Sequence, residues 1–262
     1  MTTETGDRDP EAMAQELLGG LFVQIEQANQ QRGDRERFTV QSGSALAGDN
    51  RATAPYQLSH AAVAAMGHSI EHLHAIRALI IDAGVMHPAV PFTIARAAIE
   101  TASIAVWLLA PSSRQDRAMR RLRLARQDAV DGDQAGAEIN SPSHLPTHQH
   151  RLDRLAAAVT NDPGYTLTSR VTTTEIVRSA DARVDRTHVL TAWRVCAGFS
   201  HGRIWTTLSV LNRNETPDES EPDVMNLYVT NSLPKLWWAT ATAWRVLTHA
   251  HQLYQTRRVR HY

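Results

Sequence analysis

The most apolar part of the chain lies between two prolines and reads Pro91-Phe-Thr-Ile-Ala-Arg-Ala-Ala-Ile-Glu-Thr-Ala-Ser-Ile-Ala-Val-Trp-Leu-Leu-Ala-Pro111. Pro91 suits the first turn of a helix, where its missing N–H is not needed, and Pro111 ends the segment. Apolar side chains occur nearly all round this helix, and a helix without a polar face is normally central in its domain. The segment therefore predicts a buried central helix, not a membrane span.

Helical periodicity and helix start and stop signals recur along the rest of the chain. They predict helices at residues 10–31, 55–83, 88–109, 113–138, 150–160, 174–180, 187–211 and 232–257. Polar composition predicts loops at 32–54 and 212–223, and a short strand follows at 224–230. The predicted fold is an all-α multi-helix bundle with little or no sheet. We expect residues 1–9 to be disordered and residues 10–262 to form a single helical domain, with 140–150 as the candidate for an internal linker.

The bulk composition is that of an ordinary globular protein. Lys and Arg number 27 and Asp and Glu number 27, so the formal net charge of zero argues against a globally cationic nucleic-acid coat. The lone Cys196 excludes an intrachain disulfide and favours a reducing compartment. No signal-peptide pattern stands at the N-terminus, and no apolar stretch reaches the roughly 20 residues that span a bilayer. These features predict a cytoplasmic protein with no membrane association. A Gly-rich phosphate loop, a G-x-S-x-G elbow and paired cysteines are all missing from the sequence, and we expect no cofactor.

The first candidate site lies in Arg194-Val-Cys-Ala-Gly-Phe-Ser-His201. Seven residues are close to two helical turns, so the spacing predicts that Arg194 and His201 share one face. An imidazole that moves protons beside a fixed cation is the minimum set for metal-free phosphodiester cleavage. Ser200 and Arg203 flank the pair as supporting residues. In the structural alternative, His201 bonds a neighbouring helix and Arg194 pairs with a carboxylate.

Arg96 and Glu100 are spaced i,i+4 in the apolar central helix. Charges in such a helix have to be paired, which predicts an ion pair that fixes the register of the helix. Glu100 could also orient His201 or Arg194 from this helix, and the two interpretations are compatible. Both residues are therefore candidate supporting residues of the site.

Two further patterns carry chemistry. The first, His68-Ser-Ile-Glu71-His72, matches the H-x-x-E-H pattern of inverted zinc proteases. A zinc site also needs a further carboxylate ligand, and none is recognisable in the sequence. The alternative is a histidine-rich helix face toward solvent or a partner. The second pattern is a run of arginines between residues 114 and 126. It predicts either a solvated face or a stripe that contacts a phosphate backbone. The candidate nucleic-acid-binding residues of that stripe are Arg117, Arg120, Arg121 and Arg123.

Three segments together carry a resemblance: Arg96–Glu100 with Val106-Trp-Leu-Leu109, the Arg-rich helix after it, and Gly198-Phe-Ser-His-Gly202 followed by Leu227–Ser232. The combination resembles a group of uncharacterised actinobacterial helical proteins and, more distantly, is similar to the HEPN superfamily. The second resemblance rests chiefly on an Arg-x4–6-His pattern, which Arg194 and His201 meet at its long limit.

The resemblance to HEPN proteins implies a metal-independent ribonuclease of the toxin or phage-defence type, with the active site where two such helices meet in a homodimer. Arg194 would then bind the scissile phosphate, and His201 would assist attack by the ribose 2′-hydroxyl, which leaves a cyclic phosphate. RNA and a second copy of the chain are the implied partners. Some HEPN-like proteins only bind, so a non-catalytic binding protein with an internal Arg96, Glu100 and His201 network is the alternative. A metal enzyme that uses His68, Glu71 and His72 is a minor one.

Overall fold

The computed structural model describes residues 9–168, 170–185, 187–221 and 223–260. Within these ranges the chain forms eleven α-helices and one two-stranded sheet, which confirms the predicted all-α class. The helices are α1 (Pro10–Gln30), α2 (Arg35–Phe38), α3 (Ala45–Thr53), α4 (Leu58–Arg77), α5 (Val90–Leu109), α6 (Arg114–Ala137), α7 (Leu145–Thr160), α8 (Thr173–Asp181), α9 (Val189–Ser200), α10 (Ile204–Val210) and α11 (Leu233–Arg258), and the strands are β1 (Asn212–Pro217) and β2 (Met225–Thr230).

The predicted central helix is α5. It packs against α4, α11, α8 and α9, and its apolar side chains are almost all buried, with Phe92 and Ile99 fully so. By length and composition alone α5 could cross a membrane, since a window within it has a mean hydropathy of 1.4. This corrects the expectation that no segment reaches that length. However, 61% of that window is buried inside the protein, as in the core helix of a folded bundle.

A second, smaller core forms between α6 and α7. It is built on Leu122 and Leu152, which are fully buried, and on the ring of Tyr56, which packs against them. The predicted linker at 140–150 is wrong in part, because α7 already begins at Leu145. Pro146 in the first turn of α7 suits that start. The expectation of a single domain stays a prediction.

The predicted helix at 187–211 is wrong, because it is broken into α9 and α10 at Gly202. Gly202 has a φ of +61°, which is the left-handed conformation that ends helices. Its N–H donates to the carbonyl of Phe199 at 3.1 Å, and the N–H of Arg203 donates to the carbonyl of Gly198 at 2.8 Å. These two bonds form a Schellman motif, and they satisfy the last carbonyls of α9.

Smaller corrections follow from local capping. The loop predicted at 32–54 contains α2 and α3, because the side chains of Asp34 and Ser44 accept hydrogen bonds from the first turns of these helices. The helix predicted to end at 83 finishes in a π-helical turn at Ala78–Asp82. Residues 212–217, predicted as loop, form β1, which pairs antiparallel with β2.

The predicted disorder of residues 1–9 lies outside the described ranges except for Asp9. The Asp9 carboxylate caps α1 by accepting a hydrogen bond from the N–H of Glu11 at 3.1 Å.

Gly198 lets α10 approach α9. A Cβ built on Gly198 would lie 2.2 Å from Cγ2 of the buried Thr206, so Gly198→Ala forces α10 to move. We expect a loss of about 1–3 kcal/mol in the free energy of unfolding, measured by urea denaturation. The control is Gly20→Ala at an exposed position of α1, where nothing lies within 4 Å of the added Cβ and where alanine gains about 0.5–1 kcal/mol. Equal stabilities of the two variants would contradict this account of Gly198.

The pH dependence of stability should involve His251. Burial is the largest cause that lowers the pKa of His251, Arg37 lowers it further, and a backbone hydrogen bond at Leu247 opposes the shift. Because the folded-state pKa lies below the ordinary value of about 6.5, the unfolded chain binds more protons in acid, and stability is lost as the pH falls below about 6.5. We expect His251→Gln to weaken this loss between about pH 7.5 and pH 5.5, measured by urea denaturation. The variant His60→Gln, at an exposed histidine, should lose as much stability in acid as the wild type does. If the wild type and His251→Gln lose stability equally over this pH range, the assignment to His251 is refuted.

Candidate functional site

His201 is the C-cap residue of α9, and its side chain is exposed. The end of α9 is fixed against the start of α5 by stacking of Phe92 on Phe199, with ring centroids 4.7 Å apart. One turn further along α5, Nη1 of Arg96 lies 3.3 Å from Nε2 of His201. The cation that the structure places beside His201 is therefore Arg96, and it comes from another helix.

Glu100 holds Arg96 in this position. The Arg96 Nε donates to Oε1 of Glu100 at 2.8 Å, and the indole N–H of Trp193 donates to the same oxygen at 2.7 Å. The side chains of Arg96 and Glu100 are only 23% and 26% exposed, so the ion pair is well shielded. Hydrogen bonds to an ionised group are among the strong ones in proteins. The predicted i,i+4 pair is thus formed, and it connects α5 to α9.

A guanidinium has donors only, so the Arg96–His201 contact is a hydrogen bond in the tautomer in which Nε2 of His201 accepts. A phosphate that binds Arg96 would replace Nε2 as acceptor. The Nε2 lone pair would then be free to take a proton from a ligand.

Arg194 and Arg203 lie seven residues before and two residues after His201, and both are exposed. In the part of the chain that the structure describes, the side chain of neither arginine has a hydrogen bond or ion pair, and none joins Arg194 to His201. Seven helical residues separate Arg194 and His201 by about 10 Å along the axis of α9. Ser200 is not free, since its hydroxyl donates to the carbonyl of Cys196 at 3.2 Å. The sequence paired His201 with Arg194, whereas the structure places Arg96 beside His201. That these residues form a functional site stays a prediction.

Trp193 is the residue of this network that the sequence analysis missed, because it falls within the apolar stripe of its helix. A signal was available: a carboxylate in an apolar helix needs more donors than one arginine supplies, and an indole N–H on an adjacent apolar face is a suitable one.

The H-x-x-E-H residues lie on α4 and do not converge. His68 and Glu71 are exposed, and Glu71 pairs with Arg32 at 3.7 Å. His72 is half-buried, and burial lowers its pKa, while the negative charges of Glu71 and Glu100 oppose that shift. Among the described residues, no group of three or more His, Cys, Asp or Glu side chains is arranged to hold a metal ion.

The predicted phosphate-binding stripe on α6 is wrong for Arg117, which is only 3% exposed. Arg117 forms a two-bond ion pair with the buried Asp49, with donor–acceptor distances of 2.7 and 2.9 Å. Its Nη1 also donates to the carbonyls of Pro111 and Ser112. Arg117 therefore fixes the start of α6 to α3 and is not available to a ligand.

The other three arginines of that stripe are also turned toward the protein. Arg120 donates to the carbonyl of Trp107 at 2.7 Å, and Arg123 pairs with Glu175 at 3.2 Å. Arg121 lies over the ring of Tyr56 at 5.9 Å, and burial lowers the pKa of its guanidinium. These engagements explain the arginine run as a means of attaching α6 to its neighbours, which corrects the expectation of a free cationic stripe.

The fold and site define a class: an all-α protein in which an exposed histidine lies against a half-buried arginine–glutamate ion pair. No known family profile matches this chain, and no curated protein or solved structure matches it either.

The structural role of Arg117 leads to a stability prediction. Asp49→Ala would leave a buried cation without its carboxylate, which costs about 3–5 kcal/mol of unfolding free energy. Glu71→Ala breaks the exposed pair with Arg32 and should change stability by at most about 1 kcal/mol. Urea denaturation of both variants tests this. A small effect of Asp49→Ala would mean that Arg117 finds solvent when Asp49 is lost.

Proposed function

We propose that this chain is a metal-independent endoribonuclease whose reactive centre is His201 with Arg96. The observation that carries the proposal is the 3.3 Å contact between Arg96 and an exposed imidazole at a helix end. The contact places a shielded, oriented cation beside an imidazole, the side chain that enzymes use most often as a general acid or base. Arg194 and Arg203 add exposed cations that have no partner in the described part of the chain.

The roles follow from this geometry. Arg96 binds the scissile phosphate and stabilises the charge that builds on its oxygens, since Glu100 keeps it oriented. Binding removes Arg96 from Nε2 of His201, which then accepts the proton of the ribose 2′-hydroxyl. Arg194, which the sequence analysis placed on the scissile phosphate, binds a neighbouring phosphate about two helical turns away. Arg203 contributes to the same electrostatic attraction.

The bonds balance without a metal. The 2′ oxygen forms a bond to phosphorus, the bond from phosphorus to the 5′ oxygen breaks, and the leaving 5′ oxygen takes a proton from solvent. His201 holds the proton that came from the 2′-hydroxyl and releases it to solvent afterwards. The products are a 2′,3′-cyclic phosphate and a free 5′-hydroxyl.

We also propose what the resemblance to HEPN proteins implies: a distant HEPN-like relationship, a toxin or phage-defence role, and a homodimer. A cytoplasmic location fits the buried, lone Cys196, whose pKa burial raises to about 12, so that it carries no reactive thiolate.

A non-catalytic binding protein is the second candidate. The observation that favours it is the internal connection of the network: Glu100 accepts bonds from both α5 and α9, as a structural ion pair would. In that case Arg96 and His201 fix the end of α9, and the exposed Arg194 and Arg203 bind an anionic partner.

The activity test uses end-labelled RNA in EDTA. We expect the wild type to cut it and His201→Ala to be slower by about a hundredfold or more. Arg96→Gln should be similarly impaired because the transition-state charge loses its cation. The exposed His150→Ala on α7 is the matched control and should cut at the wild-type rate.

Three readouts accompany the assay. Circular dichroism establishes that each variant is folded, RNA with a 2′-deoxy ribose at the cleaved position should resist, and the product should carry a cyclic phosphate. Cutting by folded His201→Ala at the wild-type rate would refute the reactive centre. A folded wild type that binds RNA and leaves it intact would favour the binding protein.

A further inference from the structure

The hairpin of β1 and β2 is a two-stranded sheet that extends from the body of the protein. Every described residue of its strands except Val229 is exposed, and Val229 packs against the main core. Six residues per strand give the hairpin a length of about 20 Å. An isolated two-stranded hairpin is marginally stable in water, so this one needs a surface to pack on.

Strand β2 carries an apolar row on one face of the hairpin. Met225, Leu227 and Val229 alternate along β2, which places them on the same face. The same face of β1 carries Glu215 and Arg213, which pair at 3.6 Å. Val229 packs against the main core, while Met225 and Leu227 are 53% and 36% exposed, so this part of the apolar row has no cover among the described residues.

The tip of the hairpin is acidic. Glu219, Glu221 and Asp223 are exposed, and none of them forms an ion pair within the described residues. Asp218 organises the turn, and hydrogen bonds led by the Ser220 hydroxyl lower the pKa of Asp218 to about 2, so its charge persists. Such a tip repels RNA and an anionic membrane surface, and it fits a basic protein surface.

A surface with apolar and basic side chains that suit this hairpin is present on the same chain. Ile204 and Trp205 at the start of α10 are 68% and 49% exposed, and they follow directly after the exposed Arg203, while the exposed Arg194 lies on α9. Hydrogen bonds from Asn231 to the carbonyls of His87 and Pro88 hold the base of the hairpin near the start of α5, which is also where α9 ends. The hairpin and this surface thus lie at one end of the bundle. In two copies related by a twofold axis, the hairpin of each copy can pack on the surface of the other.

We infer that the hairpin docks on a second copy of this chain. The apolar row of Met225 and Leu227 packs on α10 of the other copy, and the acidic tip meets the Arg194 and Arg203 of that copy. The contact is isologous, so it occurs twice in the dimer. This inference gives a contact surface to the homodimer of the proposed function, and in that dimer the acidic tip and RNA compete for Arg194 and Arg203. The contact itself does not require that the chain cut RNA.

The test is a charge exchange followed by sedimentation velocity of the full chain. We expect the wild type to be dimeric at low salt, with an affinity that falls as salt screens the ion pairs. One variant combines Arg194→Glu and Arg203→Glu, and a second combines Glu219→Lys, Glu221→Lys and Asp223→Lys. Each variant alone faces like charges and should dimerise at least about tenfold more weakly than the wild type.

A mixture of the two variants should form a heterodimer, because each contact then joins opposite charges. All substituted positions are exposed, so folding is not at risk, and circular dichroism verifies it. A monomeric wild type, or variants that dimerise as well as the wild type, would overturn the inference, as would a mixture without heterodimer. The tip variant retains His201 and Arg96, so its ribonuclease assay separates this outcome from that of the proposed function.

Discussion

A helix with apolar side chains on all sides has to be covered on all sides, and this constraint determines where the other helices of the chain lie. α4, α11, α8 and α9 surround α5, and its aromatic and branched side chains are removed from water. At about 25 cal/mol per Å² of buried apolar surface, such a helix is a major source of the folding free energy. Any polar group on it has to be satisfied by a helix that covers it.

Glu100 shows the chemical consequence of that constraint. Its carboxylate cannot remain unpaired in this position, and it is satisfied by Arg96 on its own helix and by Trp193 on α9. The same arrangement leaves one guanidinium nitrogen of Arg96 directed at His201, at the exposed end of α9. A requirement of packing thus produces an oriented cation beside an imidazole, which is the chemistry that the proposed ribonuclease needs.

The arginines of the chain separate into two kinds, and composition alone does not distinguish them. Arg117 and Arg123 pair with Asp49 and Glu175, which are distant in sequence, so the pairing depends on the fold. The i,i+4 pair of Arg96 and Glu100 is local and could be predicted. Arg194 and Arg203, by contrast, have no carboxylate partner among the described residues. Both of these unpaired cations lie in the segment that carries His201.

Prediction from the sequence succeeded where the signal was local and periodic. α1, α5, α6 and α11 were placed to within a few residues, because apolar spacing, proline starts and a serine cap define them. The break between α9 and α10 was missed, because apolar periodicity continues through Gly202 and only its left-handed conformation reveals the turn. β1 was missed because its residues are polar and are specified by pairing with β2.

The same break explains why the site and the hairpin lie together. If α9 had continued past His201 as one straight helix, the residues from 203 to 211 would extend away from α5, and the hairpin would begin far from the bundle. The turn at Gly202 and the close approach at Gly198 fold α10 back against α9. Asn231 then reaches the segment before α5. Two glycines therefore bring an acidic hairpin and a basic, histidine-bearing surface to one end of a bundle, which is the arrangement that the inferred contact between two copies uses.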